Sequence, residues 1–255
     1  MDQNIADYQV ALAEILPEDR VLEVGGGHGV LTQRLEKTGA KITCIEKDRE
    51  LAEELRLLFS NIEIIEGDAL HMEWPEFDVF VSNVPYAISS ELTMKLIDHS
   101  FRKAVLMYQE EFAHRIVEGP GSKTYSRIGV KVQYAHACKL QKKVPPGAFS
   151  PPPKVNSAII TIEPSDPTMN TEDLNTLHNV VDVLFSHRRK KARNNLWSAR
   201  KRLVAEENYP ALDNLLKQWQ MSENRVEHIH LSDMVRLANA IHILNEAKSK
   251  KRQMD

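Results

Sequence analysis

The chain is poor in several things, and each shortage removes a class of answers. Its 255 residues contain two cysteines, Cys44 and Cys138, both inside apolar strand-like runs and neither at metal-ligand spacing. Both read as core, so neither a disulfide framework nor a metal site is expected. That usage suits a reducing cytosol. No secretory leader and no apolar run of about 18 residues is present, so a cytoplasmic protein without membrane association is expected. Charge of one sign is also missing: 33 Lys plus Arg stand against 36 Asp plus Glu, a net of −3. No global basic field therefore announces a nucleic acid. The distribution says more, because Val183 to Ala205 carries eight Lys or Arg and no acid.

What is present begins with a unit of strand, turn and helix. Val21 to Val24 reads as a buried strand running into Gly25-Gly26-Gly27-His28-Gly29, and Val30 to Lys37 as the helix behind it. This is the opening of a nucleotide-binding α/β fold, although a tight structural turn would look the same. The next strand, Lys41 to Ile45, ends in Glu46. An acid about 20 residues past the glycines is positioned for ribose hydroxyls. Three features favour S-adenosylmethionine over a nicotinamide cofactor. The turn is Gly-x-Gly-x-Gly rather than the pyrophosphate pattern. Glu23, two residues ahead of it, opposes a pyrophosphate but tolerates a sulfonium. The third strand runs into Gly67-Asp68-Ala69, which offers a carboxylate to an adenine amine.

The stretch that organises the rest is Ser82-Asn83-Val84-Pro85-Tyr86, which follows an apolar strand, Phe77 to Val81. It reads either as a plain strand-to-helix turn or as a ligand shelf at a strand's carboxyl end. In the second reading the Asn83 side-chain oxygen and the Val84 carbonyl accept both hydrogens of a planar exocyclic amine. Pro85 stiffens the backbone, and Tyr86 stacks on the ring that carries the amine.

Taken together, Glu23-Val-Gly-Gly-Gly-His-Gly29, Glu46, Gly67-Asp-Ala69 and Asn83-Val-Pro-Tyr86 resemble the ribosomal RNA adenine dimethyltransferase family, and an archaeal-like member of it. Val105 to Glu110, Tyr125-Ser-Arg127, Val144 to Val155 and Phe185 to Lys190 resemble it in the same order. The resemblance implies a Rossmann-like class I methyltransferase with a seven-stranded mixed sheet, residues 1–164, plus a small all-helical carboxyl-terminal domain, 165–255, that binds RNA. It implies methyl transfer from S-adenosylmethionine to N6 of two adjacent adenines near the 3′ end of small-subunit rRNA. The implied setting is a pre-ribosomal particle, with the enzyme a monomer.

By resemblance, Gly25 and Gly27 hold the methionine portion of the cofactor, and Glu23 is among the cofactor-binding residues. Glu46 falls to the ribose, Asp68 and Ala69 to adenine, and Asn83 to both substrates, with Lys47 also among the cofactor-binding residues. Asn83, Val84, Pro85, Tyr86 and Phe149 form the target-adenine site. Phe149 is the one large apolar residue in a loop, Pro145 to Pro153, with five prolines in nine residues, too stiff for a central strand. Arg127, Lys154, Arg188, Arg189, Lys190 and Arg193 are the expected RNA contacts. The basic run is expected on one long helix, His187 to Ala205, where a face without acids repels itself unless a polyanion offsets it. Trp197 is expected to anchor that helix to its core. Family members carry a Gly-Gln-x-Phe-Leu stretch before the first helix, and here the chain opens at Met1-Asp2-Gln3-Asn4, so an uncovered cofactor site is expected. Two other classes stay open: an adenine-N6 methyltransferase acting on 23S rRNA or DNA, and a weakly active or non-catalytic ribosome-assembly factor.

Overall fold

The computed structural model describes residues 2–167 and 169–252. In chain order the elements are α1 (Gln3–Ala13), β1 (Arg20–Val24), α2 (Thr32–Glu36), β2 (Lys41–Glu46), α3 (Arg49–Leu58), β3 (Glu63–Glu66), β4 (Val79–Asn83), α4 (Ser89–Ile97), β5 (Lys103–Gln109) and α5 (Glu110–Val117). Then come α6 (Arg127–Gln133), β6 (His136–Val144), β7 (Ser157–Pro164), α7 (Leu174–Leu184), α8 (Ala192–Ser198), α9 (Arg200–Leu203), α10 (Tyr209–Gln218) and α11 (Leu231–Arg252). Two compact units result. The first runs through Val117 and resumes over Ala135–Ser165; the second is Glu118–Tyr134 plus the residues from Asp166 onward.

The first unit is a seven-stranded mixed sheet in the order β3-β2-β1-β4-β5-β7-β6. Neighbours are parallel except at β7, which is antiparallel to both β5 and β6. β1, β4 and β5 are buried nearly end to end, as strands covered on both faces must be. From β1 the chain moves outward to β2 and β3, then returns to the other side of β1 at β4. The gap between the carboxyl ends of β1 and β4 is therefore the switch point where such sheets bind ligands. The seven strands and the antiparallel closing pair match the sequence reading. Cys44 is buried in β2, and Cys138 in β6 is half-buried.

The second unit is helical, around a core that includes Leu177, Val181, Leu184, Leu196, Leu212 and Val235. Its composition differs from a cut at residue 165. Tyr125 and Val130 belong to this core, and Lys131 of α6 pairs with Asp182 of α7 at 2.8 Å. The expected long helix over His187 to Ala205 is also broken. Lys191 is extended (φ −60, ψ 139) and bridges to Arg225, while the Ala192 N–H donates to the Asn224 carbonyl at 2.9 Å. Those tertiary backbone bonds outcompete helix continuation. Among the described residues no helix is long and apolar enough to cross a membrane.

Candidate active site

The turn after β1 has left-handed backbone at Gly25 (φ 78) and Gly27 (φ 55), where any side chain would be strained. A Cβ on Gly27 would meet nothing within 4 Å, so the backbone there faces open space. Below the turn, Glu46 is buried. One of its oxygens accepts the Gly27 N–H and the other the Asp48 N–H, both at 2.9 Å. A carboxylate has about four acceptor positions, so two remain for hydroxyl donors. Glu23 lies beneath the same turn and opposite Cys44. Burial pushes its carboxyl up to about 7, opposed by Thr32 and Cys44 and assisted by the nearby Glu46. Its Oε2 is buried with no hydrogen-bond partner among the described residues. His28 points to solvent, with its Nδ1 3.1 Å from Glu54.

At the end of β3 the Asp68 carboxylate caps its own turn. One oxygen accepts the Leu70 N–H (3.0 Å), and the other meets Lys47 Nζ (2.8 Å) and His71 Nδ1 (3.1 Å). These bonds, Lys47 first, hold the Asp68 pKa well below the usual carboxylate range. Lys47 thus stands beside Asp68 as its ion-pair partner. Ala69 is buried, and its carbonyl accepts Trp74 Nε1 at 2.7 Å. An open backbone cradle at Gly27, an unsatisfied buried acid beneath it and two acceptor carboxylates at successive strand ends fit an adenosyl sulfonium.

β4 ends in Asn83, beside Met107 of β5. The Val84 N–H donates to the Met107 carbonyl at 3.1 Å, and a single turn of 3₁₀ helix, Tyr86–Ile88, leads into α4. Asn83, Val84, Pro85, Tyr86, Met107 and Phe149 line one cavity of about 250 Å³. Val84 itself is buried and Tyr86 is 36% exposed. The Tyr86 hydroxyl and Ser157 Oγ lie 2.7 Å apart, which fixes the ring. Pro85 also lies 3.6 Å from where a Gly25 Cβ would be. The Asn83–Tyr86 stretch and the glycine turn are therefore in van der Waals reach.

The expected RNA residues separate into two groups. Arg189, Lys190 and Lys154 are exposed, and none of them forms an ion pair among the described residues. The others have protein partners that their own stretch of sequence does not contain. Arg188 donates to the carbonyls of Lys123 (2.7 Å) and Tyr125 (3.1 Å) and pairs with Glu227 (3.4 Å). Arg193 pairs with Asp213 at 3.1 Å, and Arg127 lies 3.7 Å from Asp182. Lys191 pairs with Glu223 at 2.7 Å. Acids from other elements thus balance part of a run that carries none itself. Trp197 is 37% exposed rather than a core anchor, with the Arg200 guanidinium 4.9 Å from its ring centre.

Two residues at the site were not anticipated. Gln9 on α1 is fully buried, and its Nε2 reaches the carbonyls of Ser82 (3.1 Å) and Val105 (3.4 Å). Lys95 on α4 donates to the carbonyls of Ala69 (2.9 Å), Leu70 (3.4 Å) and Met72. A buried amide on an apolar helix was a usable signal for Gln9. Nothing in the sequence pattern pointed to Lys95.

Comparison with known proteins gives one answer. The family described as Ribosomal RNA adenine dimethylase matches residues 1–238. A "Probable ribosomal RNA small subunit methyltransferase A" of Methanosarcina barkeri is 42% identical over 244 residues, covering 94% of this chain and 84% of the relative. One from Thermococcus sibiricus is 41% identical over 234 residues, covering 91% and 85%. Among solved structures, a dimethyladenosine transferase from Plasmodium falciparum superposes with a TM-score of 0.81 at 30% identity, covering 94% of this chain and 95% of that one. The 23S rRNA methyltransferase ErmE gives a TM-score of 0.71 at 25% identity, covering 95% and 98%.

Proposed function

The chain belongs to the ribosomal RNA adenine dimethylase family and is an S-adenosylmethionine-dependent enzyme that dimethylates rRNA adenines at N6, and from that premise we propose which substrate it takes and how its residues act. The substrate is a pair of adjacent adenines near the 3′ end of small-subunit rRNA, presented on a pre-ribosomal particle to a monomeric enzyme in the cytoplasm. The observation that carries this reading is the cavity bounded by Asn83 to Tyr86 and Phe149, which adjoins the glycine turn through Pro85. Two aromatic rings on an apolar cavity with an amide at its end suit an extruded adenine.

S-adenosylmethionine, when bound, supplies a methyl group on a sulfonium, and the Gly25–Gly27 backbone, Glu46, Asp68 and Ala69 would hold it. The chain's own residues do the rest by positioning and electrostatics. The adenine N6 lone pair is delocalised into the ring and is a poor nucleophile. Accepting its N–H bonds at Asn83 and at the Val84 carbonyl favours a tetrahedral nitrogen and localises that pair. Tyr86 and Phe149 fix the ring plane, and Ser157 orients Tyr86. A proton leaves N6 once it carries the new methyl and is cationic, so no strong base is required.

The test is transfer of tritiated methyl groups from S-adenosylmethionine to undermethylated small subunits, with 23S rRNA and duplex DNA as controls. The expected outcome is label on adjacent adenines of the small-subunit RNA alone. Label on 23S rRNA or duplex DNA in its place would overturn the substrate assignment.

A further inference from the structure

α4 begins directly after the Asn83–Tyr86 motif, and its far end reaches back to the loop after β3. Three carbonyls of that loop, from Ala69, Leu70 and Met72, converge on the Lys95 ammonium. An ammonium has three N–H donors, so the set is complete. Within the loop, the His71 and Met72 N–H groups both return to the Asp68 carbonyl, at 2.9 and 3.1 Å. That leaves a one-turn coil whose carbonyl end has no continuing helix to satisfy it, and a lysine there acts as a C-terminal cap does.

The surroundings fix Lys95 in turn. Its ammonium lies 5.1 Å from the Trp74 ring centre, and Trp74 Nε1 donates to the same Ala69 carbonyl at 2.7 Å. One turn on, His99 stacks on Trp74 with ring centres 4.9 Å apart, and its Nδ1 lies 2.9 Å from the Lys95 carbonyl. The ammonium is half-buried, so it gives up part of its hydration for these carbonyls, and charge-assisted bonds there outweigh neutral ones.

We infer that Lys95 is a positioning residue for the adenine subsite, fixing the 69–72 loop so that Asp68 and Ala69 meet the cofactor's base from one geometry. Lys95 touches no reacting atom and acts through the loop. Because α4 also follows the target-base motif after one 3₁₀ turn, one helix links both adenine-recognition segments. The inference rests on the proposed assignment of Asp68 and Ala69 to the cofactor's adenine.

The experiment measures calorimetric affinity of the full chain for S-adenosylhomocysteine and for 5′-methylthioadenosine, which lacks the amino-acid portion. Lys95→Met is expected to weaken both ligands by the same factor, about tenfold or more, as expected for lost charge-assisted bonds. At saturating S-adenosylmethionine its kcat should stay within about twofold of wild type, so the loss appears in KM. A general structural defect would instead lower kcat as well. Lys95→Gln, which keeps two N–H donors without the charge, covers the case in which the Met variant does not fold and should lose affinity to a smaller degree. Wild-type affinity in a folded Lys95 variant overturns the inference. Wild-type affinity in Asp68→Ala overturns the adenine assignment beneath it, and the two failures are read on different proteins.

Discussion

At the scale of single residues, the grouping of Asn83 to Tyr86 with Phe149 around one cavity could be read from sequence, while the side chains that hold them could not. Asn83→Ala should lower kcat by about a hundredfold or more, the range for removing one preorganised polar partner, with S-adenosylhomocysteine affinity changed far less. Equal loss of both would make Asn83 a cofactor residue only. Tyr86→Ala should be inactive, whereas Tyr86→Phe loses one hydrogen bond to Ser157 and should fall by no more than about tenfold in kcat/KM. Ser157 lies 71 residues away on β7, and no local pattern announces such a partner. Glu23 has a consequence of its own. Burial raises its carboxyl from 4.5 to about 7. Below the unfolded value both states are protonated. Between 4.5 and about 7 the unfolded chain releases this proton while the folded one keeps it, so stability falls as pH rises. Glu23→Gln removes that dependence. Its stability relative to wild type should therefore rise by about 3 kcal/mol from pH 4 to pH 8, read from urea melts at both pH values. A pH-independent difference would contradict the buried-acid assignment.

At the scale of elements, the centre of the sheet was readable because β4 and β5 are built on apolar, buried runs. The basic stretch departs from the single helix its sequence predicts, for a reason of the opposite kind. Its composition from His187 to Ala205 is helix-compatible throughout, and what holds Lys191 out of a helix is a backbone pairing with Arg225, 34 positions further along the chain. The same tertiary fold brings Glu227 to Arg188 and Asp213 to Arg193. The cluster therefore divides by its partners. Arg188→Ala should lower the melting temperature, because it strips two carbonyls and a half-buried carboxylate of their donor. Arg189→Ala and Lys190→Ala should leave the melting temperature unchanged. Each should instead reduce the slope of log affinity for small-subunit RNA against log salt by about 0.7–0.9. Unchanged slopes would mean that these two cations only face solvent.

At the scale of the whole molecule, the resemblance implied a cut at residue 165, and the helical unit resumes at Asp166. The segment Glu118–Tyr134 escaped that reading although it opens on Gly119-Pro120-Gly121, because a turn signal does not say which core the apolar face behind it meets. Tyr125 and Val130 pack among Leu177, Val181 and Leu184, and the Tyr125 hydroxyl donates to the Ile229 carbonyl at 3.0 Å. The sheet unit meanwhile has its own cluster around Val21, Leu35, Val79 and Val105. Two cores that share no residue can lose stability separately, since local opening follows the packing that each element has. Val130→Ala deletes two buried methyl groups, a loss of about 2 kcal/mol with the cavity it leaves. Hydrogen exchange should then quicken for the amides of α6, α7 and α11, while β1, β4 and β5 keep wild-type protection. The sheet-facing substitution Val79→Ala should give the reverse pattern. If Val130→Ala instead loosens the strands as much as the helices, the inserted segment belongs to a single cooperative core, and the division into two units does not describe how this chain unfolds.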